Sequence, residues 1–461
     1  MAGIGFALRR LAQRDSFGSS VQAYGYALMI SGGPWMFTVA ALAGAGWFSR
    51  DLLTIEAQPR FSIIIIYNFA ASLVAAGPLV LVATRDLADR IYAKNVADVP
   101  TLLFGALGTI SAVLAVTGLA FWGWVGDLTI GERAVAYANL LIVGGIWIAS
   151  AFLSATKSFV AVSVSFAVGM GLALLLSGPL GARLGAVGIL LAMTIGLAVV
   201  LYSLLACILA IYPDPVAGPA LFWAGLRRYW EYAVAGLAYN AATWVDKWIM
   251  WLSPGHTTFI GSLPAHPAYD AAMFLAILSV LPSMALFLIA IETRFYEIYL
   301  EFYHGIAAHA TLAQLKALHR KLVAGLTEGI RSIAILQAVI CYTGVVAAPV
   351  LIDLLGGGLE MIPIFRLGLL GAMFHALLLF ALVVMSYFDL RRPLLAVCVL
   401  FFVSNAAFTW ISVVAGPSYS GYGYFASALV TTLFAYVLAA RNIKQLLYVT
   451  FVTNNCMIRI R

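Results

Sequence analysis

Charge is what this chain has least of. Asp, Glu, Lys and Arg make up 10% of its 461 residues, whereas a water-soluble protein carries about a quarter. Three soluble domains of ~150 residues each are therefore excluded. Cysteine is scarce as well. Cys207, Cys341, Cys398 and Cys456 lie in apolar runs or in the C-terminal tail, so no disulfide is expected. The phosphate-cradling pattern G-x-x-x-x-G-K-[ST] is missing, which removes ATP hydrolysis by that route. No His, Cys and carboxylate cluster has metal-ligand spacing; His256, His266 and Asp270 share one neighbourhood but read as polar loop residues. No metal or cofactor is expected. The loops assigned below to the outer side are under about twenty residues, leaving no room for an aqueous catalytic domain with paired carboxylates. An enzyme is not expected. A cleavable leader is not expected either, because the first twenty residues are polar and basic.

Apolar residues dominate instead. Hydrophobic residues account for 63%, with 27 Phe, 21 Tyr and 11 Trp, and mean hydropathy is +1.00. A bilayer core of ~30 Å needs about 20 apolar residues in helix. Twelve such runs occur, at 22–48, 61–84, 100–125, 135–155, 159–180, 185–211, 231–253, 270–292, 331–352, 362–388, 393–414 and 420–440. An outer-membrane barrel would alternate polar and apolar residues, and Ile63-Ile64-Ile65-Ile66 does not. The expected fold class is an all-α polytopic membrane protein of about twelve transmembrane helices. With the N-terminus placed inside, twenty of the 26 Lys and Arg fall on inner segments. Four fall outside (Arg50, Arg60, Arg133, Arg183) and two within runs. That five-to-one bias puts both termini in the cytoplasm by the positive-inside rule, and it accounts for the formal net charge of +7 without nucleic acid.

Three prolines in Pro213-Asp214-Pro215-Val216-Ala217-Gly218-Pro219 cannot continue a helix. The segment 212–230 therefore reads as a cytoplasmic linker between a six-helix lobe at 1–211 and another at 231–440, followed by a cytoplasmic tail at 441–461. Six crossings per lobe give both lobes one orientation, as in transporters built from parallel repeats. One long cytoplasmic loop, 293–330, has helical periodicity. It reads either as an amphipathic helix on the lipid headgroups or as a docking platform for a cytoplasmic partner.

Polar groups inside apolar runs mark pathways, because burying them in lipid is costly. The seventh run carries the densest set. Asn240, Thr243 and Lys247 share a helical face, while Asp246 lies about 100° to the side of Lys247. The two charges are expected to straddle a polar crevice or meet different partners, with Lys247 close enough to the outer end to snorkel. Trp244, Trp248 and Trp251 form a stripe that suits either an interfacial aromatic belt or a stacking track for sugar rings. Arg366 and His375 stand in the tenth run, the first near an interface, the second a candidate proton carrier or a packing histidine. Glu292 and Arg294 close the eighth run as candidate inner-gate residues. Asn68, Asn139 and Asn405 add neutral polar groups, which suit a sugar better than an ion. Gly32-Gly33-Pro34, Gly77-Pro78 and Pro282 are expected to interrupt their helices.

The opening Met1-Ala2-Gly3-Ile4-Gly5-Phe6, with Leu8-Arg9-Arg10, Arg14-Asp15-Ser16, Tyr24, Tyr26-Ala27 and Ser31-Gly32-Gly33-Pro34-Trp35, resembles the opening signature of the PelG family, inner-membrane exporters of the bacterial Pel exopolysaccharide. Asp246-Lys247-Trp248, Glu292-Thr293-Arg294-Phe295-Tyr296 and Thr450-Phe451-Val452 with Asn454-Asn455 are similar too. The likeness spans essentially the whole chain, though Cys456-Met457-Ile458-Arg459-Ile460-Arg461 departs from it. The resemblance implies the multidrug/oligosaccharidyl-lipid/polysaccharide (MOP) flippase superfamily and a polymer rich in N-acetylgalactosamine for biofilm matrix. It also implies partners: a cytoplasmic glycosyltransferase using a UDP-sugar, an inner-membrane cyclic di-GMP receptor and a tetratricopeptide-repeat subunit. The resulting expectation is polysaccharide transport from cytoplasm to periplasm through the inter-lobe cleft, driven by a coupling ion (H+ or Na+) or by chain growth. Two rivals are an ion-coupled small-molecule exporter of the same superfamily and a non-transporting scaffold of a synthase complex.

Overall fold

The computed structural model describes residues 17–52, 58–156, 158–260, 262–291, 295–448 and 451. Their elements, in chain order, are α1 (Phe17–Leu52), α2 (Gln58–Tyr92), α3 (Val99–Trp124), α4 (Ile130–Ala155), α5 (Phe159–Leu184), α6 (Ala186–Ile211), α7 (Ala220–Arg228) and α8 (Trp230–Trp251). A short antiparallel hairpin follows, β1 (Thr257–Phe259) and β2 (Leu263–Ala265). The chain continues through α9 (Pro267–Leu278), α10 (Leu281–Ala290), α11 (Tyr296–Ala307), α12 (Leu312–Leu354), α13 (Met361–Tyr387), α14 (Arg391–Ala415), α15 (Tyr422–Lys444) and the turn α16 (Leu446–Tyr448). The all-α, multi-pass architecture read from composition is the one found. Among the described residues ten helices are long and apolar enough to cross a membrane, or eleven if Tyr24–Ile30 and Gly32–Phe48 form one broken span. The remaining run is α8. Its polar residues dilute its apolarity, yet its 22 residues reach about 33 Å at ~1.5 Å per residue.

Contacts group the chain into two compact units, Gly32–Pro267 and Met1–Ser31 with Ala268–Arg461. In the first, α2 packs against α4 and α8, and α4 and α5 both pack against α6. The approach of α2 to α8 is set by two glycines. A Cβ at Gly77 would stand 2.5 Å from the Gly236 carbonyl oxygen, so only glycine lets these backbones touch. Gly77-Pro78 thus does not interrupt its helix, contrary to expectation: α2 runs on to Tyr92, and the glycine serves close packing. The proline-rich segment is docked as well. Ala217 N donates to Thr101 Oγ1 at 2.9 Å, and α7 buries Phe222 and Gly225 against Gly105 of α3 and Asp86 of α2. Next to it, buried Tyr229 donates to the Asp89 carboxylate at 2.5 Å. Burial, then that hydrogen bond, pushes the Tyr229 hydroxyl pKa up. Arg85 pairs with Asp89 at 3.0 Å, and Arg90 with Asp86 at 3.3 Å and with Asp98.

In the second unit, α13 and α14 pack against α15, and α12 packs against α13. Pro282 breaks the eighth run as expected, between α9 and α10, and polar groups collect there. Tyr24 Oη donates to the Pro282 carbonyl at 2.9 Å. Fully buried Gln337 of α12 accepts from Ser283 Oγ at 2.5 Å and donates to Ser279 Oγ at 3.3 Å. The described part of the 293–330 segment is two helices, α11 and the beginning of α12, rather than one separate helix. Its second part is the start of α12, which runs unbroken for 43 residues into the ninth apolar run. Thr311 starts that helix with a capping box to Gln314, and α11 folds back along it with Phe302 fully buried. Phe295 and Tyr299 set their rings edge-on or tilted against Tyr387 and Phe388 at the end of α13, and His319 Nε2 lies 2.8 Å from the Ile443 carbonyl of α15. The hairpin α11–α12 is therefore fastened at its base.

Candidate functional site

The polar stretch of α8 gathers the clearest chemistry. Asp246 is 0% exposed and Lys247 8%. Lys247 Nζ donates to both Asp246 oxygens, at 2.9 Å and 3.1 Å, and to the Thr243 carbonyl at 3.1 Å. This corrects two expectations. The charges bond each other although they diverge on the helical wheel, and the ammonium turns back onto its own helix instead of reaching outward. Their Cα–Cβ directions diverge, but the lysine's flexible four-carbon stem carries the ammonium back across the gap. The rest of that face repeats the pattern one turn at a time. Asn240 Nδ2 donates to the Gly236 carbonyl at 2.8 Å, and Thr243 Oγ1 to the Asn240 carbonyl at 2.8 Å. Asn240, Thr243 and Lys247 thus form a ladder of side chains bonded to the preceding turn. A buried pair held this way is close to neutral for stability, because desolvation offsets attraction; removing one member is what costs.

Above the ladder, toward the end of α8, the tryptophans meet other aromatics. Trp251 is buried, stacks on Tyr67 with ring centroids 4.6 Å apart, and meets Trp244 edge-on at 6.4 Å. Tyr67 also stacks on Phe121 at 5.9 Å. Trp248 and Trp251 join Tyr67, Phe121 and Trp122 around a cavity of about 500 Å³ over α2, between α3 and α8. Behind it lies a buried polar chain. Trp122 Nε1 donates to Asn68 Oδ1 at 3.1 Å, Asn68 Nδ2 to Asn139 Oδ1 at 3.0 Å, and Asn139 Nδ2 to Thr194 Oγ1 at 3.1 Å. Asn68 and Asn139, read as groups for a sugar, instead bond each other in the core. At the same end Arg60 pairs with buried Glu132 at 3.0 Å, a contact between helix starts that sequence reading missed. Its one signal was Thr129-x-x-Glu132, which forms a capping box.

The other unit holds the remaining candidates apart from one another. Arg366 is exposed, its Nε donating to the Val345 carbonyl at 3.1 Å. His375 is buried with Nδ1 2.7 Å from Tyr424 Oη and its ring edge-on to Phe401. Asn405 is fully buried and accepts from Thr409 Oγ1 at 3.2 Å. Glu292 and Arg294 lie outside the described residues. Gln337 was overlooked, although a glutamine amid the apolar run 331–352 is itself a signal. Near the hairpin, His256 Nδ1 lies 2.8 Å from the Ser253 carbonyl. Burial, with the nearby His256 adding to it, holds the His266 imidazole pKa below its ordinary value against a backbone hydrogen bond that raises it.

The fold recurs in solved transporters. A MOP superfamily transporter from Pyrococcus furiosus, described as having a binding pocket of reversed polarity, superposes with a TM-score of 0.65 at 14% identity, covering 91% of this chain and 96% of its own. A multidrug resistance MATE family transporter of the MOP superfamily in an outward-facing conformation gives 0.65 at 14% identity, covering 92% and 96%. An inward-facing one gives 0.63 at 14%, covering 91% and 99%. At such identity the likeness is one of fold. No curated protein matches the chain significantly by sequence. The family model described as "PelG: Putative exopolysaccharide Exporter (EPS-E)" matches residues 1–451. With that match over nearly every residue and a transporter fold beneath it, the chain belongs to the PelG exopolysaccharide exporter family.

Proposed function

We propose that this multi-pass membrane protein moves a Pel-like, N-acetylgalactosamine-rich polysaccharide from cytoplasm to periplasm across the bacterial inner membrane, supplying biofilm matrix. The family match over residues 1–451 is the observation that carries the reading. The MOP transporter fold supports it, as does a span that keeps Asn240, Thr243, Asp246 and Lys247 inside the membrane at the expense of apolarity. In this reading α8 lines the pathway, and 1–211 and 231–440 act as paired six-helix lobes. Since the chain has no phosphate-loop sequence, the drive comes from an H+ or Na+ gradient or from polymer growth. A cytoplasmic glycosyltransferase then feeds the transporter, assisted by the cyclic di-GMP receptor and the tetratricopeptide-repeat subunit. The exposed charges of the α11–α12 hairpin, Glu297, Glu301, Lys316, Arg320 and Lys321, offer those partners a surface.

Liposomes holding the purified protein, with the partner synthase, UDP-sugar and labelled primer outside, test this. Labelled polymer inside the vesicles that survives external glycosidase is the expected result. Synthesis without protected product would reduce the protein to a scaffold.

A further inference from the structure

The 500 Å³ cavity over α2 is of the size that holds a ligand, since such sites run from ~300 to ~1,000 Å³. Its chemistry is unlike that of the ladder beside it. Several of the polar side chains that line it already hold partners within the protein. Tyr67 Oη donates to the Pro264 carbonyl at 2.6 Å, Thr117 Oγ1 to the Val113 carbonyl at 2.8 Å, and Trp122 Nε1 to Asn68. Apart from Asn68, which is bonded to Trp122 and Asn139, the space is lined mainly by rings and aliphatic carbon. A sugar entering it would give up water around each hydroxyl and find few partners in exchange. A hydrocarbon chain loses nothing of the kind.

The mouth settles which hydrocarbon is at hand. Thr117 and Ala71 at the rim are exposed, and on α3 the neighbouring Val113, Val116, Leu119 and Trp124 are exposed too. An apolar exposed face on a membrane-length helix is a face turned to lipid. Phe121 and Trp122 stand in the last turn of α3, Trp251 ends α8, and Pro264 of β2 is bonded to Tyr67. The cavity therefore sits at one membrane surface, at chain depth just below the hairpin. We infer that it binds one acyl chain of a phospholipid from the leaflet on the hairpin side. This inference does not rest on the proposed export function. It also assigns Trp248 and Trp251 to lipid contact rather than to a sugar track.

The test uses the full-length protein in vesicles of phosphatidylethanolamine and phosphatidylglycerol containing a phosphatidylethanolamine with a diazirine on one acyl chain. After illumination and digestion, labelled peptides are expected to carry Tyr67–Ala71 and Trp248–Leu252. Thr117→Trp fills the mouth from an exposed position and is expected to abolish that labelling while labelling around Val346 and Val350 persists; Ala71→Leu, a smaller filling change, does the same should Thr117→Trp fail to accumulate. Labelling of the cavity peptides no greater than that of exposed α3 peptides, or unchanged in both variants, overturns the inference. So does cavity labelling by a diazirine-bearing N-acetylgalactosamine oligomer that competes with the lipid probe.

Discussion

Asp246 and Lys247 are neighbours in sequence that neutralise each other out of water. Deleting one charge strands the other, at a cost of about 3–5 kcal/mol, so Asp246→Asn alone is expected to weaken both fold and export. The informative variant removes both charges. Asp246→Leu with Lys247→Met is expected to recover the thermal stability lost in Asp246→Asn while export of polymer stays abolished. Wild-type export by that double variant would take the pair out of the pathway. His266 carries a pH effect of definite sign. Its imidazole pKa is depressed below the ordinary 6.5, so between the two values the unfolded chain holds more protons than the folded one. The stabilisation is complete above about 6.5 and is lost as pH falls through the folded value. Hydrogen exchange over Thr257–Ala265, corrected for intrinsic rates, is expected to show protection falling in that acid range, and His266→Asn to flatten the dependence.

At the level of elements, spans are legible because length and apolarity are local properties; so are turns of proline and the helical period of 293–330. What escaped reading depends on convergence. Trp122, Asn68, Asn139 and Thr194 come from four helices, and no spacing in the chain announces that they meet. Asp246 with Lys247 was misread for a different reason, since helical-wheel angles fix where a Cβ points but not where a long side chain ends. The role of Gly77 was hidden because a glycine beside proline looks like a break, whereas its use lies in Gly236 opposite. Gly77→Ala is accordingly expected to destabilise by about 1–3 kcal/mol through overpacking and to lower export by shifting α8. Gly171→Ala, where an added Cβ meets nothing within 4 Å, serves as the control in a thermal melt.

Across the whole molecule, apolar length makes the chain cross the membrane many times, and charge asymmetry predicts a direction. Single cysteines at Lys321 and Thr257, in a background lacking the four native ones, test that direction. The Lys321→Cys protein is expected to react with an impermeant maleimide only in inverted vesicles, and Thr257→Cys only in spheroplasts. The reverse pattern would turn the transporter over. Within the unit that contains it, α12 joins two environments without a joint. Its 43 residues amount to a rod of about 65 Å at ~1.5 Å per residue, with Gln337 gripped at the break of its neighbour and the far third fastened to α11 and α15. A tilt of roughly 5° at one extremity displaces the other by about 6 Å on that length. The helix thus has the geometry of a lever, in which a small swing at the α11 end becomes a displacement of several ångströms at the other.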